Sequence, residues 1–166
     1  KALEDWTVPP LNMTYADAEG YIGYVMAGQV PRRDNNPGLV PAPGWTGEHE
    51  WAGLIPHEEL PRVFNPESGR IVSANNKMVA DDYPHFLGIE YYPGWRARRL
   101  EEMLNQRERA SFRDMEEMQL DLTSKFAETL APWLAEFRPR DLYDQSALNA
   151  LRDWNYKVEV DSIAAT

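Results

Sequence analysis

The sequence predicts an α+β fold, with strands in the N-terminal part of the chain and helices in the C-terminal part. Two observations lead to this prediction. Before about residue 94, prolines and glycines interrupt short apolar runs, which is typical of strands and turns. After it, apolar side chains recur every three or four residues, which is typical of helices. We therefore expect one piece of 166 residues, with 1–93 mainly strands and loops and 94–166 mainly helical.

The first predicted element is a β-hairpin. Residues 13–16 (MTYA) and 21–27 (YIGYVMA) are rich in residues that favour strands. Asp17, Glu19 and Gly20 lie between them and supply the side chains and backbone freedom that a turn requires. The two strands should therefore pair antiparallel.

Loops and one further strand are expected next. Residues 35–51 contain too many prolines for a β-ladder and should form a surface loop. Pro56 should start a short helical turn, and residues 65–69 (NPESG) should form another turn. Residues 70–75 (RIVSAN) are predicted to be the next strand, ending at Asn75.

Three helices are predicted after residue 94. The first covers 95–104, and the third covers 145–154. The second is a long helix over 112–137, capped by Ser111 and kinked or split by Pro132. Its buried face should carry the apolar residues at three- and four-residue steps, which are Met115, Met118, Leu122, Phe126, Leu130 and Leu134.

Composition narrows the functional classes. Seventeen basic and 27 acidic residues give a net charge of −10, which disfavours nucleic-acid binding because that affinity comes mainly from basic side chains. There is no cysteine, which excludes disulfides, thiolate nucleophiles and cysteine-ligated metals. His49, His57 and His85 lack metal-ligand spacing, and we expect none of them to be a catalytic base. No apolar run approaches the ~20 residues that span a bilayer.

Three polar stretches invite a functional interpretation: Asn75 with Asn76, residues 81–84 (DDYP), and Arg96. An asparagine pair is costly inside a strand and favourable in a turn, so Asn75 could simply end the strand. Alternatively, a rigid strand end could hold an amide donor against a reacting carbonyl. The residues alone leave both interpretations open.

Three longer stretches of the sequence carry a family resemblance: residues 12–33 (NMTYADAEGYIGYVMAGQVPRR), 41–84 (from PAPGWTGEHEW to NNKMVADDYP) and 94–104 (GWRARRLEEML). Taken in order, over roughly residues 12–104, these three stretches resemble the penicillin acylase family of N-terminal-nucleophile (Ntn) hydrolases. It implies that the N-terminal strands belong to an incomplete αββα sheet of the Ntn-hydrolase type, followed by a helical segment.

The resemblance also implies an activity. The family hydrolyses the acyl amide (C–N) bond of β-lactams or acyl-homoserine lactones through a serine at the N-terminus of the large chain. The α-amine of that serine acts as the base and titrates near ~8, and an acyl-enzyme forms and is hydrolysed. Because this chain begins with Lys1, we expect an internal fragment of the large (beta) subunit that is inactive alone.

Site residues follow from the same resemblance. Asn75 matches the oxyanion-hole asparagine, and Arg96 matches an arginine that orients this asparagine and the substrate. Pro37 matches a backbone carbonyl that some members offer to a structural calcium, and no catalytic cofactor is implied. The aspartate that those members use after Asp-Tyr-Pro has no counterpart, because residues 85–87 are His-Phe-Leu.

Partners and location are implied as well. The expected partners are the small subunit, the rest of the large subunit and a small-molecule acyl amide, with neither nucleic acid nor membrane. Family members are commonly exported, so a periplasmic or secreted location is expected.

The alternative is a non-catalytic binding or interaction module. Exposed tryptophans could stack on sugars, and exposed strand edges could pair with another chain. The tryptophans concerned show no regular spacing and are Trp45, Trp51, Trp95 and Trp154.

Overall fold

The computed structural model describes residues 2–34 and 36–165. The chain divides into two compact units between Tyr92 and Pro93, and each is described by itself. Strands lie in the first unit and α-helices in the second, which confirms the α+β class. Among the helices of the described ranges, none has the length and hydropathy needed to span a membrane.

The first unit contains a three-stranded antiparallel sheet. Its strands are β1 (Leu11–Ala16), β2 (Ile22–Ala27) and β3 (Arg62–Phe64), in the order β1-β2-β3. In the predicted hairpin, Leu11 lies opposite Ala27 and Ala16 opposite Ile22. The hairpin prediction is therefore confirmed, and β2 is the central strand.

The side chain of Asp17 stabilises the hairpin turn because it supplies hydrogen-bond acceptors to backbone N–H groups of the turn. Its Oδ1 accepts hydrogen bonds from the backbone N–H groups of Glu19 at 3.0 Å and Tyr21 at 2.9 Å. Gly20 has φ +93°, a conformation that glycine adopts without steric cost. The turn residues chosen from the sequence thus perform the expected task.

Between β2 and residue 69 the predictions hold for the described residues, while residue 35 of the predicted loop lies outside them, and one strand, β3, was not predicted. The short helical turn after Pro56 is a 3₁₀ helix at His57–Glu59. In the turn at 65–69, the N–H of Gly69 donates to the carbonyl of Pro66 at 2.8 Å. The sequence pattern did not predict β3, because all three of its residues are exposed and show no alternation.

The predicted strand at residues 70–75 is wrong. Residues 70–73 have no regular structure, and residues 74–76 form a bend. Asn75 has φ +62°, which is incompatible with an extended strand. A strand also needs a ladder with a neighbour, and no ladder among the described residues includes this segment.

A small apolar cluster holds the first unit together. Val30, Ile55 and Leu60 are buried, and Met26 and Leu87 pack against them. Leu60 is 2% exposed, so its burial contributes roughly 2–3 kcal/mol. Because Leu87 joins this cluster, it ties the loop after residue 76 to the sheet side of the unit.

The second unit is helical. The predicted helix at 95–104 is confirmed, as is the one predicted at 145–154, although the latter starts three residues earlier because Asp141 caps it. The predicted N-cap at Ser111 is part of a capping box with Asp114. The helices are α1 (Trp95–Asn105), α2 (Phe112–Gln119), α3 (Lys125–Leu134) and α4 (Leu142–Arg152).

The single long helix predicted over 112–137 is wrong, since the break lies between α2 and α3 and not at Pro132. The carboxylate of Asp121 accepts hydrogen bonds from the N–H of Thr123 at 3.2 Å and from its hydroxyl at 3.1 Å. This local turn competes with helical bonding. Ser124 then caps α3 by accepting a hydrogen bond from the N–H of Ala127 at 3.1 Å.

The break also removes the predicted apolar stripe. Met118 is 8% exposed, whereas Leu122 and Phe126 are 51% and 53% exposed. The residues of α3 that are buried are Lys125, Ala127 and Ala131.

Ion pairs connect α1 with the turn between α2 and α3 and with the start of α3. Arg99 donates to Asp121 from Nε at 2.8 Å and from Nη2 at 2.7 Å, and this pairing lowers the pKa of the aspartate. The ammonium of Lys125, which is 8% exposed, contacts Glu128 and lies 3.0 Å from Glu102. A buried cation is tolerated only with such partners.

Candidate active site

Asn75 lies at the tip of a tight bend in the first unit. Asn75 is exposed, and its backbone carbonyl accepts a hydrogen bond from the N–H of Tyr92 at 2.9 Å. Asparagine is one of the few residues that often adopts the left-handed conformation found here. The hydrogen bond from Tyr92 therefore helps to hold the backbone of Asn75 in this bend.

Asn76 serves the turn itself. Its Oδ1 accepts from the N–H of Ala74 at 3.0 Å, and its Nδ2 donates to the carbonyl of Lys77 at 3.1 Å. A side chain engaged in this way on both ends of its amide stabilises the bend.

A cavity of about 250 Å³ lies beside this bend. Tyr24 lines it and is 6% exposed, and its hydroxyl donates to Oδ1 of Asn12 at 2.6 Å. Burial raises the pKa of Tyr24 to about 12, so the phenol stays protonated at any ordinary pH. The cavity therefore offers neutral polar groups together with the Glu90 carboxylate; further lining residues are Asn75, Asn76, Met26, Met78, Leu87, Tyr91 and Tyr92.

The Asp-Tyr-Pro segment, singled out in the sequence, anchors the following loop. The Tyr83 hydroxyl donates to the backbone carbonyl of Glu59 at 2.6 Å. Nε2 of His85 lies 2.6 Å from the carboxylate of the same Glu59. The sequence analysis assigned no role to Glu59, because Tyr83 and His85 lie 24 and 26 residues further along the chain.

Arg96 lies in the second unit, in the first turn of α1, and is exposed. Asn75 belongs to the first unit, so the orienting role of Arg96 toward it stays a prediction.

Pro37 is exposed in the predicted surface loop, which contains no helix or strand over 36–51. Calcium takes six to eight oxygen ligands. Among the described residues, no group of three His, Asp or Glu side chains could hold a metal ion, and His85 is paired with Glu59. These residues do not form a calcium site by themselves, so the role of Pro37 stays a prediction that requires other oxygen donors.

The tryptophans of the alternative interpretation differ in their surroundings. Trp95 forms an edge contact with Phe126, and Trp154 forms one with Tyr156. Trp45 and Trp51 are 89% and 61% exposed. No shared stacking platform follows from these contacts.

Known proteins resemble this chain in sequence. A penicillin acylase 2 proenzyme from a Pseudomonas species (strain SE83) is 46% identical over 103 residues, which cover 62% of this chain and 13% of that protein. An acyl-homoserine lactone acylase, QuiP, from Pseudomonas aeruginosa is 33% identical over 121 residues, which cover 73% of this chain and 14% of that protein. The chain thus spans about one seventh of the length of these relatives.

The fold is also similar to a solved structure. A thermostable penicillin G acylase from Alcaligenes faecalis superposes with a TM-score of 0.72 and 28% identity, covering 96% of this chain and 29% of that one. The family model described as penicillin amidase matches residues 1–166. The chain therefore belongs to the penicillin amidase family.

Proposed function

We propose that this chain is part of a larger acylase, here called the parent acylase, which hydrolyses the acyl amide bond of β-lactams or acyl-homoserine lactones. The observation that carries the proposal is the similarity to relatives named for both activities, at 46% and 33% identity. The three-stranded sheet would be one part of a larger Ntn-hydrolase sheet, completed by the rest of the large subunit and the small subunit. Export to the periplasm or beyond belongs to the same proposal.

The proposed nucleophile is an N-terminal serine supplied from outside residues 1–166. Its α-amine removes the hydroxyl proton, the alkoxide attacks the amide carbon, and the carbonyl oxygen becomes an oxyanion. The Asn75 side-chain N–H donates to this oxygen, and Arg96 orients the asparagine and the substrate. The exposed bend, fixed at the Asn75 carbonyl by Tyr92, supports the donor role because a donor must be held before the charge develops.

The backbone of Asn75 decides how this role is tested. At φ +62°, alanine would add strain to the loss of the amide, whereas glycine adopts this conformation freely. Asn75→Gly in the parent acylase therefore removes the donor with little effect on the bend. We expect kcat to fall by about 10²–10³-fold, and KM to change far less because the oxyanion exists only in the transition state.

Asn65→Gly is the matched control. Asn65 also has a positive φ, of 45°, and its side chain accepts from the N–H of Ile22 at 2.8 Å. Its replacement should lower stability and leave kcat of the folded enzyme unchanged. If Asn75→Gly keeps kcat within about two-fold of the wild type, Asn75 is only a turn residue and the oxyanion role is wrong.

A further inference from the structure

We propose that Glu59 is a positioning residue for Asn75, acting through Tyr83 and His85. This inference rests on the proposed oxyanion role of Asn75 and adds the group that holds its loop in place. We call the contacts of Tyr83 and His85 with Glu59 the Glu59 clasp.

The clasp joins two distant stretches of the first unit. Glu59 ends the 3₁₀ helix just before β3, while His85 lies 26 residues further along the chain. The imidazole is the better shielded partner, with 16% of its side chain exposed against 51% for Glu59. Tyr83 adds a second bond to the carbonyl of Glu59 and an edge contact with the His85 ring, with centroids 5.8 Å apart.

The clasp anchors a loop that has no regular structure. Residues 77–92 contain neither helix nor strand, so side-chain contacts and single hydrogen bonds set their path. Tyr83 and His85 hold the loop at Glu59, and Leu87 packs on the apolar cluster. The last anchor is the N–H of Tyr92, which donates to the Asn75 carbonyl at 2.9 Å.

This arrangement transmits a change at Glu59 to the bend. If the clasp opens, the loop loses its first anchor and Tyr92 holds Asn75 less firmly. The conformation at φ +62° persists only where its surroundings fix it. A displacement of ~1 Å at a catalytic group can cost up to about 10²-fold in rate.

The variants separate positioning from general stability. Glu59→Ala in the parent acylase removes the acceptor for His85, and Glu59→Gln keeps an oxygen that can accept the same bond. Tyr83→Phe removes only the hydrogen bond from the Tyr83 hydroxyl to the Glu59 carbonyl. Glu58→Ala is the matched control, because Glu58 is the exposed acidic neighbour in the same 3₁₀ helix.

We expect Glu59→Ala to lower kcat by about 10-fold with KM within about two-fold. Glu59→Gln should recover most of this loss, Tyr83→Phe should show a smaller one, and Glu58→Ala should show none. Amide exchange at Tyr92 should accelerate in Glu59→Ala. In the Asn75→Gly background, Glu59→Ala should have no further effect on kcat, because the group that it positions is gone.

The outcomes separate this inference from the proposed function. If Asn75→Gly lowers kcat while Glu59→Ala and Tyr83→Phe leave it unchanged, only the positioning inference is overturned. It is also overturned if the effects of Glu59→Ala and Asn75→Gly multiply independently. If Asn75→Gly leaves kcat unchanged, the oxyanion role fails, and the positioning inference fails with it.

Discussion

Replacing Asp121 with asparagine tests the ion pair that connects Arg99 of α1 with the turn between α2 and α3. Oδ2 of Asp121 accepts from Nε of Arg99 and from the N–H of Thr123. Oδ1 accepts from Nη2 of Arg99 and from the Thr123 hydroxyl. An amide has a single accepting oxygen, so in either orientation one guanidinium N–H and one Thr123 donor lose their acceptor.

The geometry sets the size of the expected loss. The side chains of Arg99 and Asp121 are 25% and 15% exposed, so water replaces the lost bonds only in part. A hydrogen bond to a charged group contributes about 1.5–3 kcal/mol and a neutral one about 1 kcal/mol. With partial hydration, we expect Asp121→Asn to lower the free energy of unfolding by about 2–3 kcal/mol at neutral pH.

The loss should depend on pH. The hydrogen bond from Arg99 lowers the pKa of Asp121 in the folded state. A lowered pKa contributes stability that is fully present above the unfolded value of about 3.9 and is lost as the pH falls through the folded value. Asparagine does not titrate, so the difference between the two proteins should shrink below about pH 4.

Urea unfolding of the 166-residue chain, followed by far-UV circular dichroism at about pH 7 and about pH 3, measures both effects. Asp161→Asn is the control, because Asp161 is an exposed aspartate of the same unit. A loss below about 0.5 kcal/mol at neutral pH, or an equal loss at both pH values, would refute the assignment of stability to this ion pair.

Two further predictions concern the whole chain. Gly28→Ala should destabilise by about 2 kcal/mol or more, because Gly28 has φ +131° and an added Cβ would lie 2.7 Å from Cα of Pro10. Gly44→Ala, with no atom within 4 Å of an added Cβ, should be neutral in the same urea titration. The 166-residue chain alone should not hydrolyse phenylacetyl or long-chain acyl amides above background. Turnover by the pure chain, abolished by changing one of its own residues, would contradict the proposal that its nucleophile lies elsewhere.

The sequence predicted those features whose partners lie a few residues apart. Asp17 forms its turn with Glu19 and Tyr21, and Ser111 forms its capping box with Asp114. In both cases the donor and the acceptor lie two to four residues apart, so a short stretch of sequence contains both. The chemistry of capping and turn residues is therefore enough to place these elements.

The failed predictions depended on distant partners or on competition that periodicity does not register. The stretch 70–75 has strand-forming residues, but no ladder in the described part of the chain includes it. Between α2 and α3, the apolar spacing continues while Asp121 closes a turn and Ser124 starts a new helix. The contact between Glu59 and His85 spans 26 residues, so no local pattern indicates it.

Asn75 itself was identified through family resemblance, and its backbone explains why composition alone could not decide its role. A residue at φ +62° in a tight bend favours asparagine or glycine for conformational reasons, whatever the chemistry. A glycine would meet that need without an amide, so the side chain of Asn75 is what an oxyanion role requires beyond the turn. Stability and catalysis therefore separate at this position: glycine should preserve stability and lower kcat by about 10²–10³-fold. The N–H of Tyr92 bonds to the backbone carbonyl of residue 75, which asparagine and glycine both have. In every variant with an intact Glu59 clasp, Asn75→Gly should therefore keep its stability while kcat falls.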